Sequence, residues 1–408
     1  SPFANDTHVF ANVGDGTYFH SAILAIRQAV ASKVSITYKI LFNDAVAMTG
    51  GQPHDGTLTV PQITRQLEAE GVERVFVVSE EPDAYLGRSD LAPGTDVRHR
   101  DDLMEVQTEL QAISGVTALI FDQTCAAEKR RRRKRGSYPD PDKRVFINEM
   151  VCEGCGDCGV KSNCVSVQPV ETEFGRKRAI NESACNRDYS CLEGFCPSFV
   201  TLRDAAPRKP DSFDPARLPE LPEPPPADLS KPYNVLLAGV GGAGVVTASR
   251  LIGLAAHLEG NAVMELDQTG LAQKFGSVLS HLRVSSDAAQ MHGARIPTGH
   301  VDLLLGGDLL VAAGKEAMLG LSGDRTHVIV NSHEEMPPGF ILERNLEFPG
   351  QALLFSLREA SRDDGFYATD ASRLARDLTG DALSANVFLL GVALQRGLLP
   401  VSVVAIER

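Results

Sequence analysis

Apolar and polar positions over the first 127 residues repeat one alternation: a short apolar run, a polar tip, then an amphipathic stretch. Val9 to Val13, Ile36 to Phe42, Arg74 to Val78 and Val116 to Asp122 read as strands, and Val60 to Glu70 and Asp101 to Ile113 as helices. Strands that alternate with helices predict a parallel sheet with helices on its faces. The alternation returns after residue 233. Strands are expected at Asn234 to Ala238, Ala262 to Leu266, Val278 to Val284, Val301 to Leu305, His327 to Val330 and Ala352 to Phe355, with helices at Val245 to Leu258 and Ala385 to Arg396. The fold class is therefore α/β, with two doubly wound domains.

Between the two halves the pattern breaks. Residues 205–232 hold nine of the chain's 23 prolines, a density that excludes sheet and helix interiors and predicts a stiff, extended linker. Residues 129–135 are seven consecutive basic residues, Lys129 to Arg135. They read as a solvated interdomain loop held open by self-repulsion, or as a docking site for an acidic partner. The boundaries that follow are 1–135, 136–204, the linker 205–232, and 233–408.

Composition narrows the class. A 408-residue chain, 43% hydrophobic and 23% charged, has the make-up of an ordinary globular protein. A net charge of −13 argues against general nucleic-acid binding. No basic n-region followed by an apolar h-region opens the chain, and no run is long enough to span a bilayer. Seven of the eight cysteines fall within residues 152–196. In a large chain without an export signal that clustering points to metal ligation in a reducing cytoplasm.

Three constellations carry chemistry. The first is Gly14-Asp15-Gly16, at the end of the first strand, with Asn43 at the end of the second and 26 residues between Gly16 and Asn43. A strand-helix-strand unit brings both tips to one sheet edge. Glycines admit backbone N–H groups to phosphate, and the Asp15 carboxylate and Asn43 amide oxygen are hard ligands suited to Mg2+. The bland alternative is a surface turn and an unrelated strand end.

The second constellation is Cys152-Glu153-Gly154-Cys155-Gly156-Asp157-Cys158. This is the bacterial ferredoxin arrangement for a 4Fe-4S cluster, and Cys196, followed by Pro197, stands as the remote fourth ligand. A zinc ribbon would pair its cysteines instead. Cys164, Cys185 and Cys191 either ligate a second cluster with one non-cysteine ligand or are buried structural thiols. The third constellation, Gly239-Val240-Gly241-Gly242-Ala243-Gly244 with Glu265 and Asp267 downstream, formally satisfies a dinucleotide fingerprint.

Taken together and in this order, the segments resemble the C-terminal part of the long fused indolepyruvate:ferredoxin oxidoreductases, of the 2-oxoacid:ferredoxin oxidoreductase superfamily. The residues that carry the resemblance are Asn12 to Ser21, Asn43 with Ala47 to Pro53, Cys152 to Cys164, Cys191 to Phe199, and Gly239 to Gly244 with Gln268 to Ser277. It implies a thiamine diphosphate and Mg2+ domain, a small ferredoxin-like 4Fe-4S insert, and a gamma-type α/β domain that is not a nicotinamide site. By the same resemblance Asp15, Asn43 and the Ala45 carbonyl hold the metal, and Gly14, Gly16 and Thr17 hold the diphosphate. Met48, Thr49 and Gly50 sit beside the thiazolium, and His20 is either a proton carrier or a capping or packing residue.

The implied activity is oxidative decarboxylation of an aryl 2-oxoacid with coenzyme A to acyl-CoA, with electrons leaving through the cluster to ferredoxin. Two alternatives stay open: a non-catalytic electron-transfer or assembly subunit, and a non-oxidative 2-oxoacid decarboxylase. No pyrimidine-binding domain is recognisable, so the chain reads as a fragment or as one subunit of a dimer or larger oligomer, inactive alone. Another chain or a missing segment then supplies that domain. No nucleic acid or membrane partner is expected.

Overall fold

The structure, a computed structural model, describes residues 5–43, 45, 56, 58–205, 219, 221–225, 227–270 and 276–408, apart from the Ala127 side chain. Contacts divide it into two compact units, Ser1–Asp140 and Pro141–Arg408.

The first unit is built on β1 (Val9–Gly14), β2 (Ile36–Phe42), β3 (Arg74–Ser79), β4 (Asp96–His99) and β5 (Val116–Asp122). They form one sheet in the order β1-β2-β5-β3-β4 with every pairing parallel. Helices α1 (Ile23–Ala31), α2 (Val60–Ala69) and α3 (Leu103–Gln111) accompany it. Period-two geometry explains why the strands read as continuous apolar runs. Val75 and Val77 join one core with Ile26, Ile63 and Leu67, while Phe76 and Val78 join another with Val106 and Leu110. Helix α2 starts as its sequence dictates, with Thr59 and Gln62 forming a reciprocal capping box.

The basic run departs from expectation. It lies in helix α4 (Ala126–Lys134), not in a loop. The reason is Glu128, only 2% exposed, which accepts from Arg131 Nε at 2.7 Å and Arg132 Nε at 3.1 Å, three and four residues on. Lys129 pairs with Glu80. Local carboxylates thus offset the repulsion that favours an open loop.

The second unit opens with two small antiparallel pairs, β6 (Lys143–Ile147) with β9 (Phe199–Arg203) and β7 (Val167–Thr172) with β8 (Gly175–Ile180). The short helix α5 (Asp157–Ser162) lies among them. Its larger sheet holds β10 (Tyr233–Val240), β11 (Ala262–Thr269), β12 (Ser277–Ser285), β13 (Leu303–Gly306), β14 (His327–Asn331) and β15 (Phe366–Thr369) in the order β11-β12-β10-β13-β14-β15. Strands β10, β13, β14 and β15 run parallel, but β12 is antiparallel to both β10 and β11. The sheet is therefore mixed, and one edge departs from the doubly wound expectation.

Helix α6 (Val245–Leu258) spans the residues expected of it. The segment expected as a strand at 352–355 lies within helix α7 (Gly350–Ala360), where Leu353 and Leu354 pack with buried Leu357 and Phe355 is exposed. Helix α8 (Ala385–Gln395) closes the unit. Among the described residues no single helix is long and apolar enough to cross a membrane.

His281 on β12 is buried, accepts from the Ile296 N–H at Nδ1 (3.4 Å) and faces Gln268 Oε1 through Nε2 (3.2 Å). Burial, aided by the nearby Arg295 charge, holds its pKa below the usual 6.5. The unfolded chain therefore takes up the proton first as pH falls. Stability present above about pH 6.5 is expected to decline below it by up to about 1.4 kcal/mol per pH unit. Urea denaturation of the wild type and His281→Gln across this range checks it; the variant should show a flatter profile.

Candidate functional site

Strand β1 ends at Gly14, whose register partner on β2 is Leu41, so the residues that follow the two strands meet at the same sheet edge. Asp15 is buried there. Its Oδ1 accepts from the Gly16 N–H at 2.9 Å and its Oδ2 from the Asn43 N–H at 3.0 Å. Asn43 Oδ1 in turn accepts from the Ala45 N–H at 3.2 Å. One carboxylate thus ties the two tips together, and the three residues expected to hold Mg2+ form a connected chain of hydrogen bonds. A Cβ built on Gly14 meets nothing within 4 Å, which leaves backbone open to a ligand.

Thr17 is exposed and ends a helical turn that passes into a π turn, Tyr18–Ala22. His20 lies in that π turn and is exposed. Met48, Thr49 and Gly50 fall outside the described residues. At the same edge, β5 ends at Asp122, which accepts from Ser79 Oγ at 3.4 Å and from the Tyr85 hydroxyl. Burial, then the Asp122 hydrogen bond and charge, push the Tyr85 hydroxyl pKa up. Sequence reading passed over Asp122 because a strand-terminal Asp carries no signal until the strand order puts β5 beside β2.

In the second unit the thiols separate into groups. Cys152 and Cys155 interact electrostatically with Cys158, whose thiol is pushed up chiefly by burial, against a Gly159 N–H hydrogen bond that lowers it. The Gly154 N–H donates to Cys152 Sγ at 3.4 Å. Thiols that accept backbone N–H bonds on a glycine-rich loop form a donor set suited to iron and sulfide. Cys196 is exposed, and its Sγ lies 3.0 Å from Ser198 Oγ. Among the described residues no three His, Cys, Asp or Glu side chains are placed to hold a single metal ion.

Cys164, Cys185 and Cys191 form the other group. They line one cavity of about 20 Å3 with Ser166 and Tyr189. Burial raises the Cys185 thiol and pushes Cys191 up to about 12, the neighbouring thiols adding to the effect. In this environment Cys185 and Cys191 are held protonated.

The glycine turn of the second unit is closed. Gly241 N–H donates to the Gly276 carbonyl at 2.8 Å, and Asn386 Nδ2 on α8 donates to the Ala243 carbonyl at 2.7 Å. The acidic residues Glu265 and Asp267 lie on β11, which β12 separates from β10. Two strand spacings, about 10 Å, then stand where a dinucleotide site needs neighbouring strands.

The family model for pyruvate ferredoxin/flavodoxin oxidoreductase matches residues 234–408. The chain is 30% identical over 172 residues to the indolepyruvate oxidoreductase subunit IorB of Pyrococcus horikoshii, covering 42% of this chain and 81% of that one. The chain belongs to the 2-oxoacid:ferredoxin oxidoreductase family. It is also 26% identical over 166 residues to the IorA subunit of Pyrococcus abyssi, covering 39% of this chain and 23% of that protein. A solved structure, the pyruvate oxidoreductase subunit PORC of Thermotoga maritima, is 21% identical and covers 43% of this chain and 82% of its own, with a TM-score of 0.31.

In this member of the family the thiol loop depends on left-handed glycines. Gly154 has φ +69°, and a Cβ there would stand 2.2 Å from the Arg176 carbonyl oxygen. Gly154→Ala is expected to cost about 2 kcal/mol or more in urea denaturation. Gly175→Ala, at φ +87° with nothing within 4 Å, should cost only about 1 kcal/mol.

Proposed function

We propose that the chain is a component of an indolepyruvate-type oxidoreductase that acts in the cytoplasm. It takes part in the oxidative decarboxylation of an aryl 2-oxoacid with coenzyme A to acyl-CoA, and electrons pass through a 4Fe-4S cluster to ferredoxin. The aryl preference rests on the named relatives. The observation that carries the reading is the Asp15 bridge to Asn43 at the edge of the parallel sheet. It supports a diphosphate and Mg2+ cradle in the same chain as a Cys-x-x-Cys-x-x-Cys loop.

In this reading Asp15, the Asn43 amide oxygen and the Ala45 carbonyl hold Mg2+, all hard oxygen donors. Gly14 and Thr17 meet the diphosphate through backbone N–H groups, and Gly16, whose N–H is held by Asp15, lets the phosphate approach the turn. Asp15 is already fixed by two backbone N–H bonds, so its carboxylate needs little reorganisation when a cation arrives. Thiamine diphosphate, when bound, supplies the nucleophilic carbon and the electron sink for loss of CO2. Met48, Thr49 and Gly50 line the reacting end, and His20, exposed beside the cradle, carries a proton. The aminopyrimidine-binding domain comes from a partner chain or a further segment, in a dimer or larger assembly.

Cys152, Cys155, Cys158 and Cys196 hold the cluster. An electron acceptor of this kind favours oxidative over simple decarboxylation, which needs none. The domain boundaries under this proposal are residues 1–135, 136–204, 205–232 and 233–408.

Anaerobic purification with iron and sulfide quantified per chain tests the reading. About four irons with a reducible cubane signal in EPR are expected, and about eight would bring Cys164, Cys185 and Cys191 into a second cluster. Zinc in place of iron overturns it. In calorimetric titration with the partner present, Mg2+-dependent thiamine diphosphate binding should weaken at least about tenfold in Asp15→Ala, a change of ~1.4 kcal/mol.

A further inference from the structure

Arg178, on β8, is only 3% exposed. Its Nη1 donates to the Lys177 carbonyl at 3.3 Å, and among the described residues no carboxylate pairs with it. A buried cation without a counter-charge is strongly unfavourable, so the surroundings must offer negative charge. What lies beside it is the thiol loop. A Cβ on Gly156 would stand 3.1 Å from Arg178 Nη2, which places the guanidinium against the Cys155-Gly156 turn.

Two further cations converge on the same loop. Lys177 Nζ donates to the Cys152 carbonyl at 2.7 Å. Arg344, which precedes α7, donates from Nη1 to the Cys155 carbonyl at 2.7 Å, and its Cδ and Cγ lie 2.9 and 3.0 Å from the same built Cβ on Gly156. Arg176 holds that segment in place by donating to the Leu346 carbonyl at 2.7 Å. The acidic groups of the loop face solvent: Glu153 is exposed, and Asp157 is exposed and paired with Lys161 at 3.1 Å. Water and salt screen those carboxylates far more than the buried guanidinium.

We propose that Arg178, with Arg344 as a second contributor, sets the reduction potential of the iron-sulfur group held by Cys152, Cys155 and Cys158. The inference rests on the cluster reading given above. Both arginines are positioning residues that act through charge and through the loop carbonyls. The step is a one-electron transfer in which no bond forms or breaks: the cluster takes an electron from the 2-oxoacid half-reaction and passes it to ferredoxin. A fixed cation in a low-dielectric pocket stabilises the more negative, reduced cluster and so raises its potential. Arg344 makes that potential depend on the segment between β14 and α7.

The test is a redox titration followed by EPR on the anaerobically purified full chain, with dithionite as reductant and iron quantified per chain. Wild type, Arg178→Gln, Arg178→Lys and Arg344→Gln are compared. Arg178→Gln should retain iron and become harder to reduce by about tenfold in the one-electron equilibrium constant, ~59 mV to the negative side. Arg178→Lys should shift less, and Arg344→Gln should shift in the same direction as Arg178→Gln. Full iron with unchanged potential in Arg178→Gln and Arg344→Gln overturns the inference and leaves the cluster intact. If Arg178→Gln loses its iron, the Arg344→Gln potential decides alone. Wild-type chain without iron overturns the cluster reading itself.

Discussion

A single buried carboxylate fixes the geometry at the working edge of the first sheet. Asp15 accepts one N–H from its own turn and one from the tip of the neighbouring strand, so Gly14, Asn43 and Ala45 cannot drift apart without leaving a buried anion unsatisfied. The all-parallel sheet makes this bridge achievable. With β1 and β2 adjacent and in parallel register, both strands deliver their ends to one side, and the intervening helix absorbs the return path. Two apolar cores, one on each face of the sheet, hold that register. A slip of one residue would exchange Val75 and Val77 with Phe76 and Val78 and set both cores wrong at once.

The second unit solves the opposite electrostatic problem. There the loop carries thiols that would become anionic under the proposed cluster ligation, and the fold places cations against the loop and leaves its carboxylates in water. Left-handed glycines are the enabling feature, since Gly154 and Gly156 bring the backbone close enough for Arg176, Arg178 and Arg344 to reach it. The same closeness makes the loop intolerant of any side chain at those positions.

How far the sequence revealed this depends on the range of the interactions involved. Four of the five strands of the first sheet and helix α6 were legible because apolar periodicity and glycine or acidic tips are local; β4, short and polar, carried no such pattern. The Asp15 and Asn43 tips were legible because a strand-helix-strand unit has few ways to place its ends. Helix α4 was missed because seven like charges outweigh the one carboxylate, Glu128, whose burial is invisible in sequence. The run at 352–355 was misread because four apolar residues fit a strand or a helix face equally well. Arg344 carried no signal at all: it lies 189 positions from the carbonyl it contacts.

The glycine turn at 239–244 shows why a local pattern is insufficient even when complete. Its glycines do adopt the left-handed conformation, with Gly242 and Gly244 at φ +88° and +87°. A dinucleotide site also needs the acid-bearing strand directly beside the first. Here β12 runs antiparallel between β10 and β11, and Asn386 reaches across to the Ala243 carbonyl from α8. The tight turn therefore serves strand-to-helix packing: a Cβ on Gly239 would strike Val245 at 2.7 Å. With its own turn closed, the larger sheet still contributes a polar group outward, because the segment after β14 carries Arg344 to the thiol loop.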